Sequence, residues 1–151
     1  MSKTLGAINF FKADVAFAPR QKNTLRLWMQ KVAKLHQCHI EQIDFIFCSD
    51  DYLLHINQQF LAHDTFTDII TFDYSLPSKA VSRVISGEIY ISIERVKENA
   101  NTFKTSYVNE LHRVMIHGVL HLCGFKDKKA QEQKEMRKQE DVALKVLESV
   151  I

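Results

Sequence analysis

His117 and His121 stand four residues apart in the stretch Met115-Ile116-His117-Gly118-Val119-Leu120-His121-Leu122-Cys123-Gly124-Phe125-Lys126-Asp127. On a helix that spacing separates two side chains by only ~40° around the axis and one turn along it, so both imidazoles can meet one ion. Gly124 follows three residues after His121, a position suited to a left-handed helix end. The chain can then turn and bring Asp127 back toward the pair. Two imidazoles and a carboxylate leave one coordination position open, the arrangement a catalytic zinc ion needs. Water bound there becomes a nucleophile near neutral pH. The order His, His at +4, Gly at +7 and Asp at +10 is the frame of the zinc-protease pattern H-E-x-x-H-x-x-G-x-x-H. Gly118 stands where a protease has its glutamate base, and Asp127 where the third histidine belongs. Zinc accepts aspartate oxygen, and the changed donor set also admits another divalent metal. The plainer reading of Asp127 is the N-cap of a following helix.

Other candidates surround this group. Glu110 falls on the same helical stripe as the histidines and can orient a ligand imidazole; the alternative is an ordinary helix-surface carboxylate. Thr67 and Asp68 open an apolar run and can line a cleft. Lys126, Lys128 and Lys129 lie beside the proposed metal and can attract an RNA backbone. If Lys128 and Lys129 occupied the first turn of the last helix, the helix dipole would disfavour them there. His36, Cys38 and His39 have ligand chemistry but no partner cluster, and His55, His63 and His112 are isolated. Cys123 is expected to be a buried thiol.

These residues need a scaffold, and the pattern supplies one. Leu5–Lys12, Ile43–Cys48, Asp68–Tyr74 and Ile85–Ile93 read as strands. Pro19 opens a helix over about 20–37, with Leu25, Trp28, Met29, Val32 and Leu35 on one face. Ser49 or Asp50 caps a helix through about Phe60, and a short helix follows over 93–101. Ser106 caps the histidine helix, and a last helix runs over about 128–147. Four strands and five helices in mixed order predict an α/β or α+β layer fold. With 151 residues, 46% hydrophobic and 25% charged, the chain suits one domain over 1–151 and excludes a disordered or fibrous protein. Three scattered cysteines without a C-x-x-C pair point to a reducing compartment. The N-terminal stretch reads as too short and polar for a signal peptide, and no apolar run approaches the ~20 residues that span a bilayer. A cytoplasmic protein without membrane association is expected.

The histidine stretch resembles the signature H-G-x-L-H-L-x-G-[YF]-D-H of the YbeY family of rRNA-maturation endoribonucleases. His117, Gly118, Leu120, His121, Leu122, Gly124 and Phe125 match it, while Lys126-Asp127 replaces the final Asp-His. Ile56-Asn57, Asp64 and Thr67-Asp68-Ile69-Ile70-Thr71-Phe72 are similar to the family's L-N…D-x-x-T-D-V-L-S-F stretch. Gly87-Glu88-Ile89-Tyr90-Ile91 is similar to its G-D/E-I-x-I strand, and Met136 and Glu140 fit its last helix. The resemblance implies a zincin-like fold, with a mixed sheet packed on helices around the histidine helix. It implies one zinc ion, with His117 and His121 matching the family's motif and Asp127 standing in place of its third histidine. It also implies a metal-dependent single-strand endoribonuclease that processes ribosomal RNA, notably the small-subunit 3′ end, with a role in ribosome quality control. The partner implied is ribosomal RNA or the ribosomal subunit. The family has an arginine where this chain has Leu61.

Two other functions compete with that one. The protease frame supports a metalloprotease-like hydrolase, against which Gly118 speaks. Leu61 and Asp127 support a non-catalytic ribosome-assembly factor. The formal net charge of +2 does not exclude an RNA partner, because residues 1–40 carry +6 and residues 41–75 carry −7.

Overall fold

A computed structural model describes residues 7–61, 67–77 and 82–151. His63 and Asp64 lie outside them, as do Leu5 and the central part of the 75–82 loop. The elements, in order, are β1 (Ala7–Lys12), α1 (Lys22–Leu35), β2 (Cys38–Cys48), α2 (Asp50–Leu61), β3 (Ile69–Asp73), β4 (Arg83–Ser92), α3 (Ile93–Thr102), α4 (Tyr107–Leu122) and α5 (Ala130–Val150). The four strands form one sheet in the order β1-β2-β4-β3. β1 and β4 run parallel to β2, and β3 runs antiparallel to β4 at the edge. The expected mixed four-stranded sheet with five helices is the fold observed.

β2 begins five residues before the strand expected from the sequence. The two-residue alternation breaks at Glu41-Gln42, both exposed, and that break is a shift in register against β4 between Ile40 and Gln42. The extra residue returns Ile43, Phe45 and Phe47 to the buried side already occupied by Cys38 and Ile40. Helix α1 also differs from expectation. Pro19 does not open it; the backbone turns through Gln21 in the left-handed region, with φ of 56°, and helix begins at Lys22. Ala33 rather than Leu35 completes its inner face, and Leu35 is exposed. The Trp28 indole donates to the carbonyl of Ala143 at 2.7 Å and ties α1 to α5.

The main core lies between the sheet and the helices α1, α4 and α5. A second cluster covers the other face of β3 and β4, where Leu53 and Ile56 of α2 meet Cys48 and Ile70. α4 sits against the sheet with Leu111, Met115, Val119 and Leu122 buried, as its periodicity predicts, and with Val114, Ile116, Gly118 and Leu120 buried as well. A helix this enclosed can show polar groups only along one narrow stripe, which carries the histidines.

Gly118 brings α4 close to the sheet. A Cβ there would stand 2.8 Å and 3.0 Å from two methyl carbons of Ile89 and 3.1 Å from one of Ile69. Ile89 is fully buried and cannot retreat. Gly118→Ala gains helix propensity of about 1 kcal/mol, but overpacking a tight core costs about 1–3 kcal/mol. A net loss of about 1 kcal/mol is expected, seen as a fall of about 2–4 °C in Tm. An unchanged or raised Tm would mean that α4 has room to shift away from the sheet.

Candidate metal centre

The site is built at the C-terminal end of α4. Ser106 starts that helix, its Oγ accepting from the backbone N–H of Asn109 at 3.0 Å. Gly124 stops it with a φ of 110°, a conformation that side chains with a Cβ seldom adopt. The N–H of Phe125 then donates back to the carbonyl of Leu120 at 3.1 Å. This reversal swings Asp127 under the histidine stripe. Asp127 Oδ2 lies 3.2 Å from His117 Nε2 and 3.3 Å from His121 Nε2. The three donor atoms lie within 4.8 Å of one another. Asp127 is not the cap of α5: the N-cap is Lys129. Lys128 and Lys129 therefore precede the first turn rather than occupy it, and their backbone N–H groups donate to Glu132 at 3.2 Å and 2.9 Å.

The far nitrogens of the two imidazoles are already committed. His121 Nδ1 lies 2.9 Å from the Phe125 carbonyl oxygen, and His117 Nδ1 lies 2.5 Å from Glu140 Oε2. A carbonyl only accepts, so the proton of a neutral His121 belongs on Nδ1. The Glu140 carboxylate draws the His117 proton to Nδ1 in the same way. Both Nε2 lone pairs then face a carboxylate oxygen. Three mutually facing acceptors are stable only with a positive species among them, a proton or a cation. The residues thus fit a divalent metal, and each imidazole has the outer partner that fixes a ligand's tautomer. Burial opposes the charged form of His117, but Glu140, Asp127 and Asp68 outweigh it and raise its pKa.

The outer carboxylate is Glu140 of α5, not Glu110. Glu110 is buried near the same cavity, and burial followed by the charge of Asp68 pushes its pKa up, but it holds neither imidazole. Glu140 also accepts from Arg113 Nη1 at 2.9 Å, while Arg113 Nη2 reaches Asp141 at 2.8 Å. Glu140 was detectable before the structure. Met136, Glu140, Ala143 and Leu147 are the buried residues of α5 and recur at helical spacing, so a carboxylate sits in an otherwise apolar stripe.

A cavity of about 920 Å³ opens over the three donors. Thr67 and Asp68 line it, as expected of a cleft at the head of β3. Burial is the main cause raising the pKa of Asp68, and the Asn99 amide donates to it at 3.3 Å. Lys128 lines the cavity too, whereas Lys126 and Lys129 are exposed and do not. Leu61, Phe103 and Arg137 complete parts of the wall that the sequence reading did not assign. The remaining histidines among the described residues are placed elsewhere. His36 packs on Phe125, His112 packs on Trp28, and His39 and His55 are exposed. Cys123 is half-buried against the core rather than fully enclosed, and burial first, then Cys38, raises its pKa.

Comparison with known proteins gives a consistent picture. The family model described as Endoribonuclease YbeY matches residues 8–148. An Endoribonuclease YbeY of Christiangramia forsetii is 48% identical over 136 residues, covering 90% of this chain and 91% of that protein. The Endoribonuclease YbeY of Flavobacterium psychrophilum is likewise 48% identical over 136 residues, covering 90% and 94%. The solution structure of TM1509 from Thermotoga maritima matches with a TM-score of 0.60 at 24% identity, covering 93% of this chain and 88% of that one. This last likeness is one of fold.

Proposed function

The chain belongs to the Endoribonuclease YbeY family, and from that premise we propose that it is a metal-dependent endoribonuclease of ribosomal RNA maturation, acting at the small-subunit 3′ end and in ribosome quality control. One observation carries the metal dependence: His117 Nε2, His121 Nε2 and Asp127 Oδ2 converge at the floor of an open cleft. Zinc is the ion proposed for them. Ligand atoms ~2.0–2.1 Å from a tetrahedral centre lie ~3.3–3.4 Å apart, close to the 3.2 Å and 3.3 Å separations from Asp127. When bound, such an ion supplies Lewis acidity toward a phosphoryl oxygen and a water of lowered pKa.

The chain's own residues do the rest. Glu140 and the Phe125 carbonyl keep Nδ1 of each histidine protonated and Nε2 free. Asp127 cancels one of the two metal charges, leaving the site positive toward a phosphodiester. Asp68 and Glu110, whose pKa values burial raises, stand on the cleft wall. The protease mechanism lacks its base, since position 118 faces Ile69 and Ile89 rather than the cleft. Among the described residues no helix is long and apolar enough to cross a membrane. The proposed partner, from the family, is RNA or the ribosomal subunit, and the proposed location is the cytoplasm.

The test pairs the wild type with Asp127→Ala, assayed for metal content and for cleavage of unstructured RNA, structured RNA and a denatured protein. Cleavage of unstructured RNA alone is expected. Metal affinity and activity of Asp127→Ala are expected to fall together by about tenfold or more. Its Tm should hold, because α5 is capped without Asp127. Unchanged metal content would remove Asp127 from the ligand set, and proteolysis without RNA cleavage would overturn the nuclease reading.

A further inference from the structure

Charges along the cleft are unevenly committed. Among the described lining residues, five carboxylates stand against three permanent cations, Arg113, Lys128 and Arg137. Acidic side chains outnumber the permanent cations, so the lining by itself does not favour a phosphodiester. A divalent ion would add positive charge at the three donors, but it does not choose where the flanking phosphates lie. Arg113 is not available for them: both terminal nitrogens of its guanidinium are engaged, by Glu140 and Asp141. Arg137 differs. Its side chain is 60% exposed, and its ion pair to Glu140, one turn along α5, is long at 3.8 Å. Lys128 lies just ahead of the same helix and lines the same cleft.

A different part of the wall has the opposite character. Phe103, at the C-terminal end of α3, is 59% exposed, and Leu61, at the end of α2, is 43% exposed. Both line the cleft, and neither belongs to either buried apolar cluster. α3 and α5 each pack against α4, so the apolar and basic walls belong to separate elements beside the helix that bears the histidines. A double helix presents its phosphates outward and keeps its bases stacked inside. An unpaired strand can offer both a phosphate and a free base face.

We propose that the cleft holds a single RNA strand across the metal centre, with a phosphate next to the cut bond anchored by Arg137 and Lys128 and an unpaired base stacked on Phe103 beside Leu61. The inference rests on the single-strand endoribonuclease reading and adds which residues recognise that strand. Phe103 makes the site selective for unpaired RNA, because a base has to leave its stack to reach the ring. Arg137 and Lys128 supply affinity without sequence preference.

The experiment measures binding of a fluorescent unstructured oligoribonucleotide by anisotropy, across a salt series, beside KM and kcat for its cleavage. The proteins are the wild type, Arg137→Gln, Arg137→Lys and Phe103→Ala. Arg137→Gln should weaken binding and flatten the salt dependence by about 0.7 in log–log slope, the loss of one single-strand phosphate contact. Its KM should rise while kcat holds, and Arg137→Lys should recover the slope. Phe103→Ala should weaken binding about tenfold with the slope unchanged, and should narrow the preference for unpaired over duplex RNA. Both side chains are exposed, so folding is retained. An unchanged salt slope in Arg137→Gln, or unchanged affinity in Phe103→Ala, overturns the proposal. Should the wild type bind RNA yet cleave none, the nuclease reading fails, and the binding slopes still decide the strand placement.

Discussion

Alanine at His121 is expected to remove the bound metal and the RNA-cleaving activity together, while leaving the protein folded. The two effects separate because the side chain's energetic roles are so unequal. For the fold, His121 contributes little: it is partly exposed, and besides the 3.3 Å contact of Nε2 with Asp127 its hydrogen bond is the one from Nδ1 to the Phe125 carbonyl at 2.9 Å. Losing such a bond costs about 1 kcal/mol, or about 2–4 °C in Tm for a chain of this size. For the site, His121 is one of three converging donors, and among the described residues no other histidine joins them. Loss of even an outer partner typically costs 10–100-fold in metal affinity or activity, so loss of a donor should exceed about 100-fold. The measurement is metal content by elemental analysis, RNA cleavage, and a thermal melt on one preparation, with wild type purified in parallel. Equal cleavage by both proteins would assign the activity to a contaminant and leave this chain a binding role in ribosome assembly. Cleavage lost with metal retained would make His121 a substrate contact rather than a ligand.

The local parts of this site were legible in the residue order, and the long-range parts were not. Ser106, the four-residue histidine spacing and Gly124 all act within α4 and its two ends, and the structure has them where the sequence reading expected them. Asp127 also comes back to the histidines, because a left-handed residue reverses the chain within a few positions. Glu140 is a different kind of contact, 23 residues from His117, across the packing of α5 on α4. A helical wheel ranks only neighbours on its own helix, which is why Glu110 was the natural candidate for the outer partner. The clue to Glu140 was energetic: a lone carboxylate on a buried stripe has to have a partner. The strand order β1-β2-β4-β3 and the register shift at Ile40 and Gln42 were likewise beyond local pattern, since both are settled by pairing between distant segments. Leu61, where the resemblance leads one to expect an arginine, lines the cleft, and so do Phe103 and Arg137.

Glu140 joins the fold to the chemistry, and its replacements should show both roles. Its side chain is only 6% exposed and contacts His117 through one oxygen and Arg113 through the other. Glu140→Ala removes the negative partner of two buried groups at once. Breaking a buried ion pair from one side typically costs about 3–5 kcal/mol, because the remaining charge stays desolvated. Arg113 keeps Asp141 at 2.8 Å, so the lower end, about 3 kcal/mol, is expected, or a fall in Tm of roughly 6–12 °C. Glu140→Gln separates the roles. The amide oxygen can still accept from either His117 Nδ1 or Arg113, so much of the stability should survive. A neutral amide no longer supports the imidazole electrostatically, and metal affinity should still fall about 10–100-fold. The pair of variants therefore has a distinct signature: a large difference between them in denaturation, and a small one in metal titration. Equal loss of stability in both would mean that the negative charge, rather than the hydrogen bonds, holds α5 to α4. Unaltered metal affinity in Glu140→Gln would mean that packing alone orients His117, and that the carboxylate has no part in the metal centre.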